Sequence, residues 1–447
     1  MTNPNYQNGC PAESKVHGNT SARWVVNFNN GNVNNNHRNN NACVRAVRAG
    51  EYHGEDTVTL KALHIAWMIA RKGKKPSRNQ LAFDARWADG LLKLHRSLND
   101  CTWQPGPSAC FVAEKPKARE IHAPDFADRV VHHWLVPQLE ALWEPSFIFD
   151  SYANRQGKGS HAAVQRLQKF VRQVHSGQNG GWYLQLDIHN FFNSIHRPTL
   201  WAILKKKLAR IDASNQVMRA THALLRHPPL KAGVIRHGSA EQHDLVPPHK
   251  RLANAQPGCG LPIGNLSSQF FANVYMDSLD QFVKHTLKAK RYLRYVDDFV
   301  LIHQSREQLV EWQLKIETFL KEALRLRLKP DIRLQRLTDG IDFLGYIVRP
   351  THTLVRRRVV VNAIKALSDW EEKHVSDSTI SATPHQLRAI QSTAASFCGH
   401  IRHANSKRLL QKLDNKYPWL VTATAKRRFD YRLEGVPVSL TIMRRSA

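Results

Sequence analysis

Between Thr57 and Leu98, apolar residues recur every three or four positions, in "TLKALHIAWMIARKGKKPSRNQLAFDARWADGLLKLHRSL". That spacing puts them on one side of a helix, and the basic "RKGKKPSR" breaks the run, so separate helices are predicted. "ACFVAEKPKAREIHAP" places apolar runs on either side of a basic turn and predicts strand, turn, strand. Helical patterns fill 126–146 and 160–175. From 182 to 192, "WYLQLDIHNFF" alternates, with Leu184, Leu186 and Ile188 on one face and Gln185 and Asp187 on the other. Residues 226–258 are rich in Pro, Gly and His and predict an irregular insertion. A helix over 266–288, strands flanking 297–298, a helix over 305–325 and strands in "IRLQRLTDGIDFLGYIV" follow. The basic C-terminal third is mostly helical in pattern. Helices and strands mix without strict alternation, which predicts an α+β architecture rather than a doubly wound sheet.

Residues 1–55 differ from the rest. "NFNNGNVNNNHRNNNACVRAVR" is dominated by asparagine, which favours turns and left-handed backbone over packed helix, so a loop-like Asn-rich arm is expected. The remaining chain has room for two or three domains, since 42% of the 447 residues are hydrophobic. Charge changes the picture more. The chain carries 65 Lys+Arg against 36 Asp+Glu, a formal net charge of +29, plus 24 histidines. Such a surface repels itself unless a polyanion covers it, and a nucleic acid is the expected cover. The six cysteines are scattered without a C-x-x-C pair, which suggests neither a zinc site nor a disulfide framework and fits a reducing compartment. No apolar run has the length of a membrane span, and the start "MTNPNYQNGCPAESK" does not read as a signal peptide; a cytoplasmic protein with no membrane partner is expected. The histidines of "RVVHHWL" and "LIHQ" have no partner at metal spacing and read as core or surface hydrogen-bonding groups.

Candidate chemistry centres on "RYLRYVDDFVLI" (291–302), where Asp297 and Asp298 interrupt an apolar run. Two adjacent carboxylates repel each other, and burying them is costly. Together with Asp187 on the strand of "LDIHNFF", they suggest one site assembled from distant sequence, in which divalent metals offset the repulsion.

These segments resemble reverse transcriptases. "YVDD" is similar to the family's Y-x-D-D box, "LDIHNFFNSI" to its first catalytic motif, and "GLPIGNLSSQFFANVYMDSLDQFVKH" (260–285) to its template- and nucleotide-positioning motif. "EKPKAREIHAPDFADRVVHHWL" and "SYANRQGKGSHAAV" are similar to the fingers, "GIDFLGY" to the primer grip and "SFCGHIRHANSKRLL" to the thumb. The resemblance covers roughly 85–415. It implies a right-hand polymerase: N-terminal helices and fingers over 56–180, palm over 181–350, and thumb with a basic C-terminus over 351–447.

The resemblance implies two Mg²⁺ ions, with Mn²⁺ as a substitute, bound by Asp187 and Asp297, with Asp298 as the lesser ligand and the backbone carbonyl of Ile188 as a further one. Phe192 matches the ring that excludes a ribose 2′-hydroxyl, and also reads as a core aromatic. Lys115, Lys117 and Arg119 match a triphosphate-holding turn, and also read as a solvated basic turn. Arg155 faces the same choice. Gly264 is expected to let the backbone approach the nucleotide, and Gln269 to contact the template or base pair. Relatives place a lysine two residues after the proline of "LKP"; here Ile332 stands there, so Lys329 or Arg333 is the candidate general acid.

Within the family, "GLPIGN…SQ", "PPHKRLANAQPGCG" and "GHIRHANS" resemble enzymes of diversity-generating retroelements and their defence-associated relatives. The "WVVNFNNG…VRAVR" frame resembles closing strands of C-type-lectin-like targets of such elements. The partners implied are dNTPs, a DNA product, a non-coding RNA template or scaffold, and an accessory protein or second reverse transcriptase. The expected role is cDNA synthesis in anti-phage defence, with error-prone diversification as the alternative. A template-independent or protein-primed nucleotidyl transferase and a catalytically dead RNA-binding scaffold are readings of other classes.

Overall fold

The computed structural model describes residues 58–73, 75–114, 117–176, 180–424 and 437–442, together with the backbone of two short strands further upstream. Those strands, β1 (Val25–Asn27) and β2 (Asn32–Asn34), pair antiparallel within the Asn-rich arm, whose other residues lie outside the described ones.

Three helices follow: α1 (Leu60–Ala70), α2 (Arg78–Ala85) and α3 (Trp87–Asn99). Thr59 and Ser77 cap the first two by accepting backbone N–H bonds, the role short hydroxyl side chains fill at helix starts. The expected strand–turn–strand is β3 (Ser108–Ala113) and β4 (Arg119–Ala123), paired antiparallel. Next come α4 (Phe126–Trp143), which buries Phe126, Val130, Val131, Leu135 and Leu139, and α5 (Ser160–His175).

The central sheet starts with β5 (Trp182–Asp187). The alternating pattern was expected to run to 192, but the strand stops at Asp187 and "FFNS" forms a short helix, α6 (Phe191–Ser194). Asn190, at φ 46°, makes the break, a left-handed conformation that asparagine tolerates. The helices α7 (Arg197–Arg210) and α8 (Asn215–Arg226) lead into the insertion.

The insertion is more ordered than its composition suggests. It holds α9 (Pro229–Ala232), β6 (Val234–Arg236) and α10 (Ala240–Asp244), and β6 pairs parallel with β3 as a third strand of the hairpin's sheet. Two 3-10 turns, Pro248–Lys250 and Leu252–Asn254, close it. Helix α11 (Leu266–Gln281) runs on as a π-turn over Phe282–Thr286.

Strands β7 (Tyr292–Tyr295) and β8 (Asp298–His303) then form a tight hairpin, followed by α12 (Arg306–Ala323) and β9 (Arg333–Arg336). The sheet order is β7-β8-β5-β9, antiparallel throughout. Its apolar residues belong to one core that extends from Val58 to Val348. A small meander follows: β10 (Ile341–Phe343), β11 (Tyr346–Val348) and β12 (Thr353–Val355).

The C-terminal unit comprises α13 (Arg357–His374), β13 (Val375–Ser376), β14 (Thr379–Ala382), α14 (Pro384–Ile401), α15 (Lys407–Lys416), α16 (Trp419–Thr424) and β15 (Val438–Thr441). It has a core of its own, including Leu367, Ile380, Leu387, Ile401 and Trp419. Tyr346 joins the two units: its ring stacks on His400 at 4.1 Å and its hydroxyl donates to the His400 carbonyl at 2.9 Å. Among the described residues no helix is long and apolar enough to cross a membrane.

Candidate active site

Asp187 is the last residue of β5 and Asp298 the first of β8, and the two are direct cross-strand partners. Residues paired this way present their side chains to the same face of a sheet. Asp297 occupies the β7–β8 turn beside them, and its carbonyl accepts the Ile188 N–H at 3.3 Å. The three aspartates of the sequence therefore meet at one end of the central sheet.

Neighbouring groups fix each of them. Gln185, two residues before Asp187 and so on its face, donates through Nε2 to Asp298 Oδ1 at 3.1 Å and to the Asp342 carbonyl at 3.1 Å. The Lys329 N–H donates to the Asp187 carbonyl at 2.8 Å, and the Lys329 ammonium bonds Asp187 Oδ2. Desolvation pushes the Asp298 carboxyl up to about 8, and Asp187 and Asp297 add repulsion. Desolvation and then Asp187 also raise Asp297, while Lys329 opposes the shift.

The residues fit a divalent metal. Asp187 Oδ1 is buried without a hydrogen-bond partner, and an acceptor left so is costly unless a cation or donor meets it. Carboxylate oxygens clustered in this way are the donor set that hard divalent cations take.

The turn itself is strained. Val296 sits at φ 59°, a region that β-branched residues rarely adopt, and its side chain is buried. Arg294 holds it there, donating from Nη1 to the Val296 carbonyl at 2.8 Å. Neither Gln185 nor Arg294 stood out in the sequence; the first is legible only as the residue two before Asp187, the second as a charge inside an apolar strand.

The other candidate residues divide. Lys115 lies outside the described residues. Lys117 is exposed, and desolvation followed by the charges of Lys250, Arg358, Lys329 and Arg119 holds its ammonium below the ordinary range. Desolvation lowers Arg119 too, and the nearby Asp297 carboxylate opposes it. These cations flank the aspartates. Phe192 is half-buried, packs against the main core and meets Phe191 edge-on at 5.4 Å. Gln269 is half-buried in the first turn of α11. Ile188 is buried, with its backbone tied to Asp297.

Two of the candidates have partners within the fold. The Arg155 guanidinium binds Glu144 (Nη2–Oε1 2.6 Å) and the carbonyls of Ile148 and Ser151, which clamps the loop before α5. At Gly264 (φ 120°), a Cβ would lie 2.8 Å from Ile121 Cγ2 and 3.0 Å from the His122 carbonyl, so the demand for glycine comes from β4. The His122 N–H to Ile263 carbonyl bond, 2.7 Å, belongs to the same contact. Of the two candidate acids, Lys329 touches Asp187, whereas Arg333 pairs with Asp331 at 3.3 Å and approaches Asp342 at 3.9 Å.

The β3–β4 hairpin also gathers Cys110, Glu120 and His122, with ligand atoms within 4.8 Å of one another, a grouping the scattered cysteines did not suggest. Cys110 and His122 are cross-strand partners, and Glu120 lies two residues from His122 on the same face. Glu120 accepts from the Leu252 N–H at 2.8 Å and contacts His122 Nε2 at 3.1 Å; hydrogen bonds thus satisfy it as the cluster stands.

Comparison with known proteins agrees with this geometry. Residues 112–348 match the family described as reverse transcriptase (RNA-dependent DNA polymerase). Protein YkfC of Escherichia coli K12 is 23% identical over 341 residues, covering 68% of this chain and 81% of YkfC. The group II intron-encoded protein LtrA of Lactococcus lactis subsp. cremoris is 21% identical, covering 69% of this chain and 60% of LtrA. Among solved structures, telomerase from Candida albicans in complex with a telomeric RNA fragment aligns over 72% of this chain and 56% of its own, at 10% identity and a TM-score of 0.38. The Candida tropicalis telomerase complex aligns over 70% of this chain and 55% of its own, at 9% identity and 0.41. The α+β, right-hand polymerase expectation is borne out. With a family match across more than half of its 447 residues, the chain belongs to the reverse transcriptase family and is an RNA-directed DNA polymerase, a nucleotidyltransferase.

Proposed function

We propose that the protein copies an associated non-coding RNA into DNA by templated addition of dNTPs to a 3′-hydroxyl. The single observation carrying this reading is the meeting of Asp187, Asp297 and Asp298 at the end of the β7-β8-β5-β9 sheet. Asp187 and Asp297 would hold two Mg²⁺ ions, with Asp298 and the Ile188 carbonyl completing the set; Mn²⁺ is a substitute. When bound, such ions activate the attacking hydroxyl and neutralise charge on the leaving pyrophosphate.

The chain's own groups do the rest. Gln185 orients Asp298, and the Lys329 backbone N–H fixes the carbonyl of Asp187. Lys117 and Arg119, with Lys115, hold the triphosphate; fixed cations at a site of growing negative charge cost no reorganisation during reaction. Phe192 closes the space a ribose 2′-hydroxyl would need, and Gln269 faces the template pair. Lys329, already against Asp187, is the preferred proton donor to pyrophosphate. The N-terminal helices and fingers would take 56–180, the palm 181–350, and the thumb with the basic C-terminus 351–447.

A biological role in anti-phage defence, with an accessory protein or second reverse transcriptase, is supported by the long chain and its fused Asn-rich arm. Diversification of a neighbouring gene is the alternative, favoured by the lectin-like frame in that arm. Extension of a DNA primer on an RNA template with dNTPs and Mg²⁺ tests the activity. Sequencing the co-purified RNA and its cDNA tests the role: copies of a neighbouring repeat mutated at adenines would overturn the defence reading.

A further inference from the structure

The insertion between α8 and α11 does not end in a free loop. Its last segment, Pro248–Leu252, is pinned on both sides. Asn190, three residues beyond Asp187, donates from Nδ2 to the His249 carbonyl at 2.5 Å. Asn193 Nδ2 reaches the Arg251 carbonyl at 3.4 Å. From the opposite side, the Leu252 N–H donates to Glu120, the β4 residue next to Arg119, at 2.8 Å. Asn254 closes the turn by donating to the Pro248 carbonyl at 2.8 Å. The turn therefore bridges the loop after the catalytic strand and the strand that carries Arg119.

Lys250 stands in the middle of this bridge. Its backbone neighbours are fixed, its side chain is exposed, and among the described residues no carboxylate pairs with it. Arg251, next to it, is by contrast tied to the Val246 carbonyl and to Asp244. The turn thereby sets Lys250 on the side of the site where Lys117 stands, near enough for its charge, after desolvation, to help hold the Lys117 ammonium below the ordinary range. Neighbouring cations without a counter-ion repel each other, and a multiply charged anion between them would relieve that repulsion. Asp187 ends the strand that leads into Asn190, and the Asp297 carboxylate acts on Arg119.

We propose that Lys250, contributed by the insertion, binds the polyphosphate of the incoming nucleotide, forming with Lys117 and Arg119 an anion site over the catalytic aspartates. The proposal rests on the nucleotidyl-transfer reading. It gives the insertion a task in substrate binding, where its composition suggested only irregular chain. Phosphates of the template–primer backbone share this chemistry, but the position beside the aspartates favours the nucleotide.

The test uses the full chain and the substitutions Lys250→Gln and Lys250→Arg. Calorimetric titration of the protein with inorganic tripolyphosphate should show about a tenfold or greater loss of affinity for Lys250→Gln, largely restored in Lys250→Arg. In primer extension, Lys250→Gln should lose dNTP kcat/KM mainly through KM, with template–primer affinity unchanged. Unchanged tripolyphosphate affinity and dNTP KM would overturn the proposal. So would a loss confined to template–primer affinity with a shallower salt dependence, which would mark a backbone contact. Should the wild-type protein extend no primer at all, the polymerase reading fails, and the tripolyphosphate titration still decides Lys250.

Discussion

Arg294 and Asp280 form an ion pair at 2.7 Å with neither side chain reached by solvent. Tyr292 donates to the same carboxylate at 2.7 Å, and Arg294 extends to Ser151 Oγ at 3.1 Å and to the Val296 carbonyl at 2.8 Å. A charge pair taken out of water is a poor source of stability compared with apolar packing. Its use here is geometric: it holds the left-handed turn that presents Asp297.

Arg294 is accordingly a positioning residue. Arg294→Met leaves Asp280 buried and unpaired and should lower stability by about 3–5 kcal/mol. Adding Asp280→Leu should return stability toward wild type in denaturant unfolding without returning the rate of nucleotide incorporation. If the double variant recovers both, the pair is structural alone.

Stability should depend on pH and Mg²⁺ together. Asp298 titrates near 8 in the folded protein, against about 3.9 in an unfolded chain. Between these values the folded state binds a proton that the unfolded chain has lost, so its contribution to stability falls as pH rises from about 4 to 8. On the proposed reading Mg²⁺ binds the ionised carboxylates and competes with that proton. The rise in Tm on adding Mg²⁺ should therefore be larger at about pH 8.5 than at about pH 6.5, and Asp298→Asn should flatten the difference. Equal Mg²⁺ shifts at both pH values would contradict the raised proton affinity.

The two candidate acids should separate cleanly. Lys329→Ala should slow the chemical step by about a hundredfold or more in single-turnover extension and remove the high-pH limb of its pH profile. Arg333→Ala, whose side chain is occupied by Asp331 and Asp342, should leave that step near wild type. The reverse order would move the acid to Arg333.

The strands that frame the candidate site were legible in the sequence because each is a local pattern. The alternation of β5 and the apolar flanks of Asp297-Asp298 are short-range patterns, and the structure brings those strands into register. What escaped depends on partners outside the local pattern. Strand β6 has three residues, among prolines and histidines, and exists only because β3 accepts it as a parallel neighbour. Arg155 looked like a nucleotide ligand because a basic loop says nothing of Glu144, eleven residues earlier, which neutralises it. Gly264 carried the right residue type, but the backbone it accommodates is β4. Lys250 was one cation among many until Asn190 and Glu120 fixed its turn.

The central claim, that Asp187 and Asp297 bind the metals that drive nucleotidyl transfer, is tested most directly by single-turnover primer extension on an RNA template with Mg²⁺. Asp187→Asn and Asp297→Asn each remove a proposed metal ligand and relieve repulsion among the three carboxylates. Each variant should lose at least about 10³-fold in rate, with a melting temperature in EDTA no lower than wild type. Extension by either variant at near wild-type rate would contradict it.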